Sequence, residues 1–439
     1  MTRPGAVWRN WGRTAEAKPV RAEFPGSPEA VERAVRAAAR RGLRIKPVGS
    51  GHSFSAIAVA PEVLLNLSAL SGVVAIDRAA GRATLGAGTP LHQVPRLLAR
   101  HGLAMQNLGD IDRQTLAGAL STGTHGTGAA FGGLATQVVG VTLVTGTGET
   151  RRIGEDDPLL AAVALGLGAL GVLVDVTLQC VPAFHLAAVE RPEPLDDVVA
   201  ALDERAGTAD HFEFYWFPHT DVALTKTNER LPETTPRRPL PRVGRFVDET
   251  ILANGVYRGI CAAGVALPPV IPAFSRLAAR VTGDRAYLDR SHRVFTQRRN
   301  VRFREMEYAL PASQVAAAFG EVRALIDAEG WRISFPIEVR FAAGDDRWLS
   351  SAYGRPTGYI AVHRYFREDP TAYFAAVEQI MLAHGGRPHW GKLHALDADA
   401  LRERYPRFDD FLAVRSEFDP EGLFRNAYLD RVLGVPSPV

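Results

Sequence analysis

The stretch Val48-Gly49-Ser50-Gly51-His52-Ser53-Phe54-Ser55, VGSGHSFS, follows a basic helix and a short apolar run. Glycines without a Cβ let backbone N–H groups approach an anion closely, as in a phosphate nest. A dinucleotide fingerprint needs a third glycine where Phe54 stands and a helix directly after it. Here the chain continues SAIAVAPEVLLNL, into Pro61 and then a strand pattern. A P-loop needs Gly-Lys-Ser/Thr, which is absent. One such loop is more often a turn than a ligand site.

Working outward, residues 27–42 (SPEAVERAVRAAARRG) predict a helix capped by Ser27, opened by Pro28 and left at Gly42. Leu43–Val48, 63–67, 73–77 and 82–88 read as strands, and Leu91–His101 as a helix. From Asn107 to Gly133 the chain reads as a long Gly/Thr/Ser-rich loop. It holds a second glycine loop, Ser121-Thr122-Gly123-Thr124-His125-Gly126-Thr127-Gly128. Two such loops in one α+β segment point to a large, phosphate-bearing cofactor. Strand patterns return at Val138–Thr145 and Gly171–Val181.

Beyond residue 182 the character changes. His211–Phe217 (HFEFYWF) is a dense aromatic strand, and 228–245 is a proline- and charge-rich excursion. Val301–Leu310, Arg332–Ala342 and Thr357–Tyr365 alternate as strands, with a helix over Pro370–His384. This half predicts an antiparallel sheet backed by helices, α+β again. At 439 residues, more than one core is expected.

A net charge of +3 from 51 basic and 48 acidic residues argues against nucleic acid as a partner. The longest apolar run, Pro158–Val174, is short and broken by three glycines, so no transmembrane segment is expected. The first residues carry no apolar leader pattern, and the two cysteines, Cys180 and Cys261, read as buried thiols of a cytoplasmic protein.

In Arg332–Phe341 (RISFPIEVRF) the strand period places Ile333, Phe335, Ile337, Val339 and Phe341 on one face. Glu338 and Arg340 share the other, where a solvated, weak ion pair is the plain expectation. In YIAVHRY, Tyr359, His363 and Tyr365 share a face, and Arg387–Lys392 (RPHWGK) packs cations and aromatics into a loop. Carboxylate, guanidinium, imidazole and ammonium together could hold a hydroxyl-rich substrate and take a hydroxyl proton. No metal site is expected, because the spacing of His384, His389 and His394 suits no known ligand motif.

Five stretches, VGSGHSFS, NLGDID (107–112), QTLAGALSTGTHGTG (114–128), FPIEVR (335–340) and RPHWGK, occur in one order along nearly the whole chain. Together they resemble the sugar-1,4-lactone oxidases of the vanillyl-alcohol-oxidase-type FAD-linked oxidoreductases, with L-gulono-1,4-lactone, D-arabinono-1,4-lactone and alditol oxidases among them. The resemblance implies an FAD-binding domain of two α+β subdomains over residues 1–182. It further implies an α+β cap domain with a large antiparallel sheet over 183–385, and a segment 386–439 returning to the first domain. FAD would be joined covalently through His52. It would be held by Val48, Gly49, Ser50, Gly51, Ser53, Phe54, Gly109, Asp110, the loop Ser121–Gly128, His389 and Lys392. Glu338, Arg340, His363 and Lys392 would be catalytic, with His363 taking the hydroxyl proton. Glycine at 109 implies an open path for O2, hence peroxide release. Alternatives are a polyol substrate, another electron acceptor, or a colourless anion-binding protein without flavin.

Overall fold

The computed structural model describes residues 6–241, 257–281, 283–297 and 299–435. Helix α1 (Pro28–Ala39) forms on the expected signals: the Ala30 amide donates to Ser27 Oγ at 3.3 Å, and Val31, Val35 and Ala38 are buried. It connects two strands of a parallel sheet, β1 (Arg21–Glu23) and β2 (Ile45–Val48), which flank β3 (Val63–Asn66) in the order β1-β3-β2. A second sheet, antiparallel, contains β4 (Val73–Asp77), β5 (Arg82–Gly86), β6 (Val138–Val144), β7 (Thr150–Gly154) and β8 (Val172–Gln179) in the order β7-β6-β8-β5-β4.

The long Gly/Thr/Ser segment is not all loop. It contains helix α2 (Leu116–Ser121), capped by Thr115, whose Oγ1 accepts the Gly118 amide at 3.3 Å. Six residues among glycines and threonines are too few for a visible periodicity. The helix expected over 91–101 is regular only at Val94–Ala99.

From Phe184 onward one eight-stranded antiparallel sheet dominates. Its strands are β9 (Phe184–Pro194), β10 (His211–Trp216), β11 (Val222–Pro232), β12 (Arg285–Arg290), β13 (Phe303–Pro311), β14 (Ile337–Ala342), β15 (Thr357–Tyr365) and β16 (Arg387–Pro388). They lie in the order β12-β9-β11-β10-β14-β15-β13-β16. The excursion expected from 228 therefore begins later, because β11 continues to Pro232 against β9. Its last residues, 242–245, lie outside the described residues. Helices α3 (Tyr257–Ala266) and α4 (Ile271–Val281) precede β12, and α5 (Val315–Ala328) and α6 (Thr371–Ala383) cover one face of the sheet.

That covered face carries the apolar row Ile337, Val339 and Phe341, as the period requires. Phe335 leaves the row: the strand becomes regular only after Pro336, and Phe335 joins Phe54, Phe303 and Tyr365 in a separate aromatic cluster. The opposite face turns inward, not to solvent. Glu338 is 4% and Arg340 7% exposed, which removes the reading of a solvated ion pair.

The two halves are stitched by backbone. The Gly128 amide donates to Phe341 O at 2.8 Å, and Thr127 Oγ1 donates to Phe212 O at 2.5 Å. The last residues return to the first sheet: the Ile45 amide donates to Leu423 O at 3.0 Å, and Asn426 Nδ2 donates to the carbonyls of Ala56, Ile57 and Val59. Cys180 and Cys261 are buried free thiols. Among the described residues no helix is long and apolar enough to cross a membrane.

Candidate active site

The glycine loop opens onto a cleft of about 320 Å³ lined by Val48–Ser53, Asn66, Gly88, Thr115, Gly118, Ser121, Thr122 and Gly168. Among the described residues, the amides of Gly49, Ser50, Gly51, His52 and Ser53 donate to no protein acceptor. Gly49 and Ser50 are exposed at the cleft and His52 and Ser53 half-buried, so these successive amides are free to donate to an anion bound there. The donor set fits the pyrophosphate of FAD.

Glycine is required here for two distinct reasons. A Cβ on Gly49 would sit 2.5 Å from Thr115 Oγ1, the cap of α2. Gly51 has φ +70°, and a Cβ there would meet the Trp8 ring at 3.1 Å. Gly51→Ala therefore carries a strain of about 1–2 kcal/mol at the anion site. The expected outcome is a lower flavin-to-protein absorbance ratio after purification, with the fold retained.

Lys46 lies at the far wall, with Nζ donating to Gly168 O at 2.9 Å and Phe424 O at 3.3 Å. Burial pushes its pKa down to about 7. It ties the returning C-terminal segment to the wall of the cleft.

The cleft meets a second cavity of about 70 Å³, and His52, Ser53, Gln114 and Thr122 line both. His52 sits near Trp11, with ring centroids 5.9 Å apart. Burial first, then Arg113, lowers its pKa to about 4, so the imidazole is neutral at neutral pH. A neutral ring nitrogen is the nucleophilic form.

The floor of the second cavity is the inward face of the large sheet, and its chemistry follows from register. Glu190, Lys226, Glu213 and Arg340 stand in one row across β9, β11, β10 and β14. Charges alternate along it, with Lys226 Nζ 3.9 Å from both glutamates and Arg340 Nε donating to Glu213 at 2.8 Å. Arg340 also pairs with Glu338 on its own strand and lies 3.5 Å from Asp110. Arg299 pairs with Asp110 at 2.6 Å and lies 3.8 Å from Glu338. Burial raises the Glu338 pKa in spite of both guanidiniums. Asp110 behaves oppositely: burial would raise it, but Arg299 and Arg340 hold it well below the usual carboxylate range. Two carboxyl groups a few ångströms apart thus differ in proton affinity.

Strand β13, beyond β15 in the sheet, supplies two more carboxylates. Strand β13 alternates, placing Met306, Tyr308 and Leu310 in the core and Phe303, Glu305 and Glu307 toward the cavity. Lys392 Nζ lies 2.5 Å from Glu305 and 3.9 Å from Glu307. Burial opposes charge on Glu305, but Lys392 and His363 outweigh it and bring its pKa to about 2. The two glutamates in turn raise Lys392 against its own burial. Glu305 and His363 are cross-strand partners, with His363 Nε2 3.5 Å from the carboxylate. His363 Nδ1 lies 2.9 Å from Pro336 O, a contact that fixes the orientation of the ring. His125 Nε2 lies 3.2 Å from Glu307, and the His125 ring stacks on Tyr359. His125, Glu307 and His389 bring ligand atoms within 4.8 Å of one another. Lys392 already supplies the positive charge a metal ion would bring to Glu307.

The cavity therefore gathers Phe54, Gly109, Asp110, Thr122, Thr124, His125, Glu338, Arg340, His363, His389 and Lys392 from the sequence expectations. A Cβ on Gly109 would approach His125 O to 3.0 Å. Gly123, Gly126, Thr127 and Gly128, implied as cofactor contacts, line neither cavity. Gly123 turns the chain out of α2, and Thr127 and Gly128 are bonded to the large sheet. Asp110 is engaged by the two arginines. Arg299, Glu305, Glu307, Glu213 and Tyr215 were not singled out from the sequence. The alternation of FREMEYALP holds the signal for both β13 glutamates; Arg299, in a loop, has none.

Three further histidines are held neutral by burial, His211 and His389 near pKa 4 and His394 near 3. Unfolded, each titrates near 6.5, so between there and about 4 the unfolded chain binds more protons. Their contribution is intact above pH 6.5 and is lost as pH falls, by up to roughly 4 kcal/mol per pH unit for the three. Denaturant midpoints should hold between pH 7 and 8 and drop steeply toward pH 5.

Fold and site together define an FAD-linked oxidoreductase. Residues 20–154 match the FAD binding domain model, and residues 176–432 match the D-arabinono-1,4-lactone oxidase model. The chain is 42% identical to an L-gulono-1,4-lactone dehydrogenase of Mycobacterium tuberculosis, over 98% of this chain and 99% of that one. It is 33% identical to an L-gulonolactone oxidase of Scyliorhinus torazame, over 97% and 98%, and 32% identical to an alditol oxidase of a Streptomyces species, over 88% and 89%. Cholesterol oxidase from Brevibacterium sterolicum shares the fold, with a TM-score of 0.82 at 18% identity over 97% of this chain and 96% of that one. The chain belongs to the D-arabinono-1,4-lactone oxidase family.

Proposed function

We propose that this protein oxidises a carbinol of a sugar 1,4-lactone of the L-gulono or D-arabinono type, giving a 2-keto lactone that tautomerises to an enediol. The observation that carries the reading is the cavity joined to the anion cleft, floored by Arg299, Arg340 and Lys392 interleaved with Asp110, Glu305, Glu307 and Glu338. Carboxylates accept from sugar hydroxyls, and the cations donate to the lactone oxygens. Bound FAD would supply the hydride acceptor, with its electrons passing on to a further acceptor.

The chain's own residues do the rest. The amides of 49–53 hold the pyrophosphate, and His52 tethers the ring system. Glu338 and Arg340 orient the lactone, and Lys392 stabilises negative charge developing in the cavity. His363 Nε2 takes the hydroxyl proton as the carbonyl forms, and Glu305 beside it stabilises the resulting imidazolium. In this division residues 1–182 serve the cofactor, 183–385 cover the reacting end, and 386–439 return to close the cleft.

Acid precipitation of the purified protein should leave the flavin in the pellet, and His52→Ala should release it to the supernatant. Flavin retained in the His52→Ala pellet would move the tether elsewhere. For the final acceptor, Gly109 favours O2, whereas the relative named a dehydrogenase favours another acceptor. Peroxide formed in step with lactone loss decides for O2. A cytoplasmic location agrees with two buried free thiols.

A further inference from the structure

The hairpin of α3 and α4 presents a surface unlike the rest of the chain. Between Tyr257 and Leu277 the exposed residues are Arg258, Gly259, Ala262, Ala263, Val265 to Pro269, Ala273, Arg276 and Leu277. Each is apolar, glycine, proline or arginine, and no Asp or Glu occurs from 257 to 281. Leu267 at the turn is 62% exposed, and Leu277 56%. Such a run of exposed apolar side chains without an acid is unusual for a surface facing only water.

The inner side of the hairpin is firmly seated. Cys261 is fully buried among Phe54, Phe303, Phe335 and Tyr365, and Tyr257 Oη donates to Ser334 O at 2.8 Å. Along α4, Ile271, Ser275 and Ala279 face inward at helical spacing, which leaves Ala273, Arg276 and Leu277 outward. The outward face is thus a fixed feature of the fold, anchored to the aromatic wall that includes the cavity residue Phe303.

We propose that this hairpin docks the protein on an anionic bilayer surface, with Val265, Leu267 and Leu277 entering the interface. The helices have 10 and 11 residues, about half of what a bilayer span needs, so the geometry is that of an interfacial anchor. Arg258 and Arg276 flank the apolar residues and supply the complementary charge for acidic headgroups. The inference is independent of which sugar substrate is oxidised.

The test is sedimentation of the flavin-loaded full chain with vesicles of phosphatidylcholine, with and without phosphatidylglycerol. The wild-type chain should pellet with the phosphatidylglycerol vesicles and remain largely soluble with phosphatidylcholine alone. Leu267→Glu/Leu277→Glu should weaken this binding by roughly tenfold or more, and Arg258→Glu/Arg276→Glu should do so by a similar factor. Val74→Glu, at an exposed apolar residue 62% open on β4, should leave it unchanged. If the leucine variant fails to fold, the arginine variant carries the test. Wild-type protein that stays in the supernatant overturns the proposal, as does equal loss in Val74→Glu. A wild-type dimer that Leu267→Glu/Leu277→Glu makes monomeric, without vesicle binding, also overturns it and assigns the hairpin to self-association.

Discussion

Lys392→Met is expected to lower kcat on L-gulono-1,4-lactone by about a thousandfold, the scale of losing one preorganised group aimed at developing charge. The site also predicts a separate loss of stability. Glu305 and Glu307, both buried, lose their shared ammonium, and an uncompensated buried pair of this kind costs about 3–5 kcal/mol. The two effects can be separated. Lys392→Met/Glu305→Gln removes one of the stranded carboxylates and should recover much of the denaturant midpoint while turnover stays low. Turnover that recovers together with the midpoint would reduce Lys392 to a structural counter-ion.

Arg340→Met should be nearly as damaging, for a different reason. Arg340 touches Glu213, Glu338, Asp110 and the Tyr215 hydroxyl at once. Only a planar guanidinium reaches that many partners in fixed geometry. Its loss should raise KM for the lactone at least tenfold and cost about 3–5 kcal/mol of stability, since Glu213, opposite it on β10, and Glu338, two residues away on β14, then both lose its guanidinium. Arg340→Lys keeps the charge but not the fork, so it should recover much of the stability while KM stays high. Steady-state kinetics beside chemical denaturation would show the split; a lysine variant with wild-type KM would contradict the clamping role.

How much of this was legible in the sequence depends on range. Local signals sufficed for α1, with its Ser27 cap, and for β15, whose alternation places Tyr359, His363 and Tyr365 on the cavity face. They also exposed the glycine loop, because a missing third glycine and a missing helix are local facts. Longer-range facts were hidden. FPIEVRF gave the pairing of Glu338 with Arg340, but only the neighbouring strands decide that this face is buried. Phe335 was misplaced because Pro336 delays the regular strand, which shifts the residue into another cluster. FREMEYALP carries the alternation that orients Glu305 and Glu307, but neither is singled out from it, because their role depends on Lys392, more than eighty residues later. Loop 121–128 looked uniform in composition, and its division between cleft and sheet is a matter of tertiary hydrogen bonding.

The central claim is that an FAD bound at the VGSGHSFS loop is reduced by a sugar lactone held over the large sheet. Anaerobic mixing of the purified protein with L-gulono-1,4-lactone or D-arabinono-1,4-lactone tests it most directly. The account predicts that the visible flavin band bleaches with one of these lactones and that a 2-keto lactone is formed in equal amount. A band untouched by both lactones but bleached by xylitol would contradict it, as would a protein that binds no flavin at all.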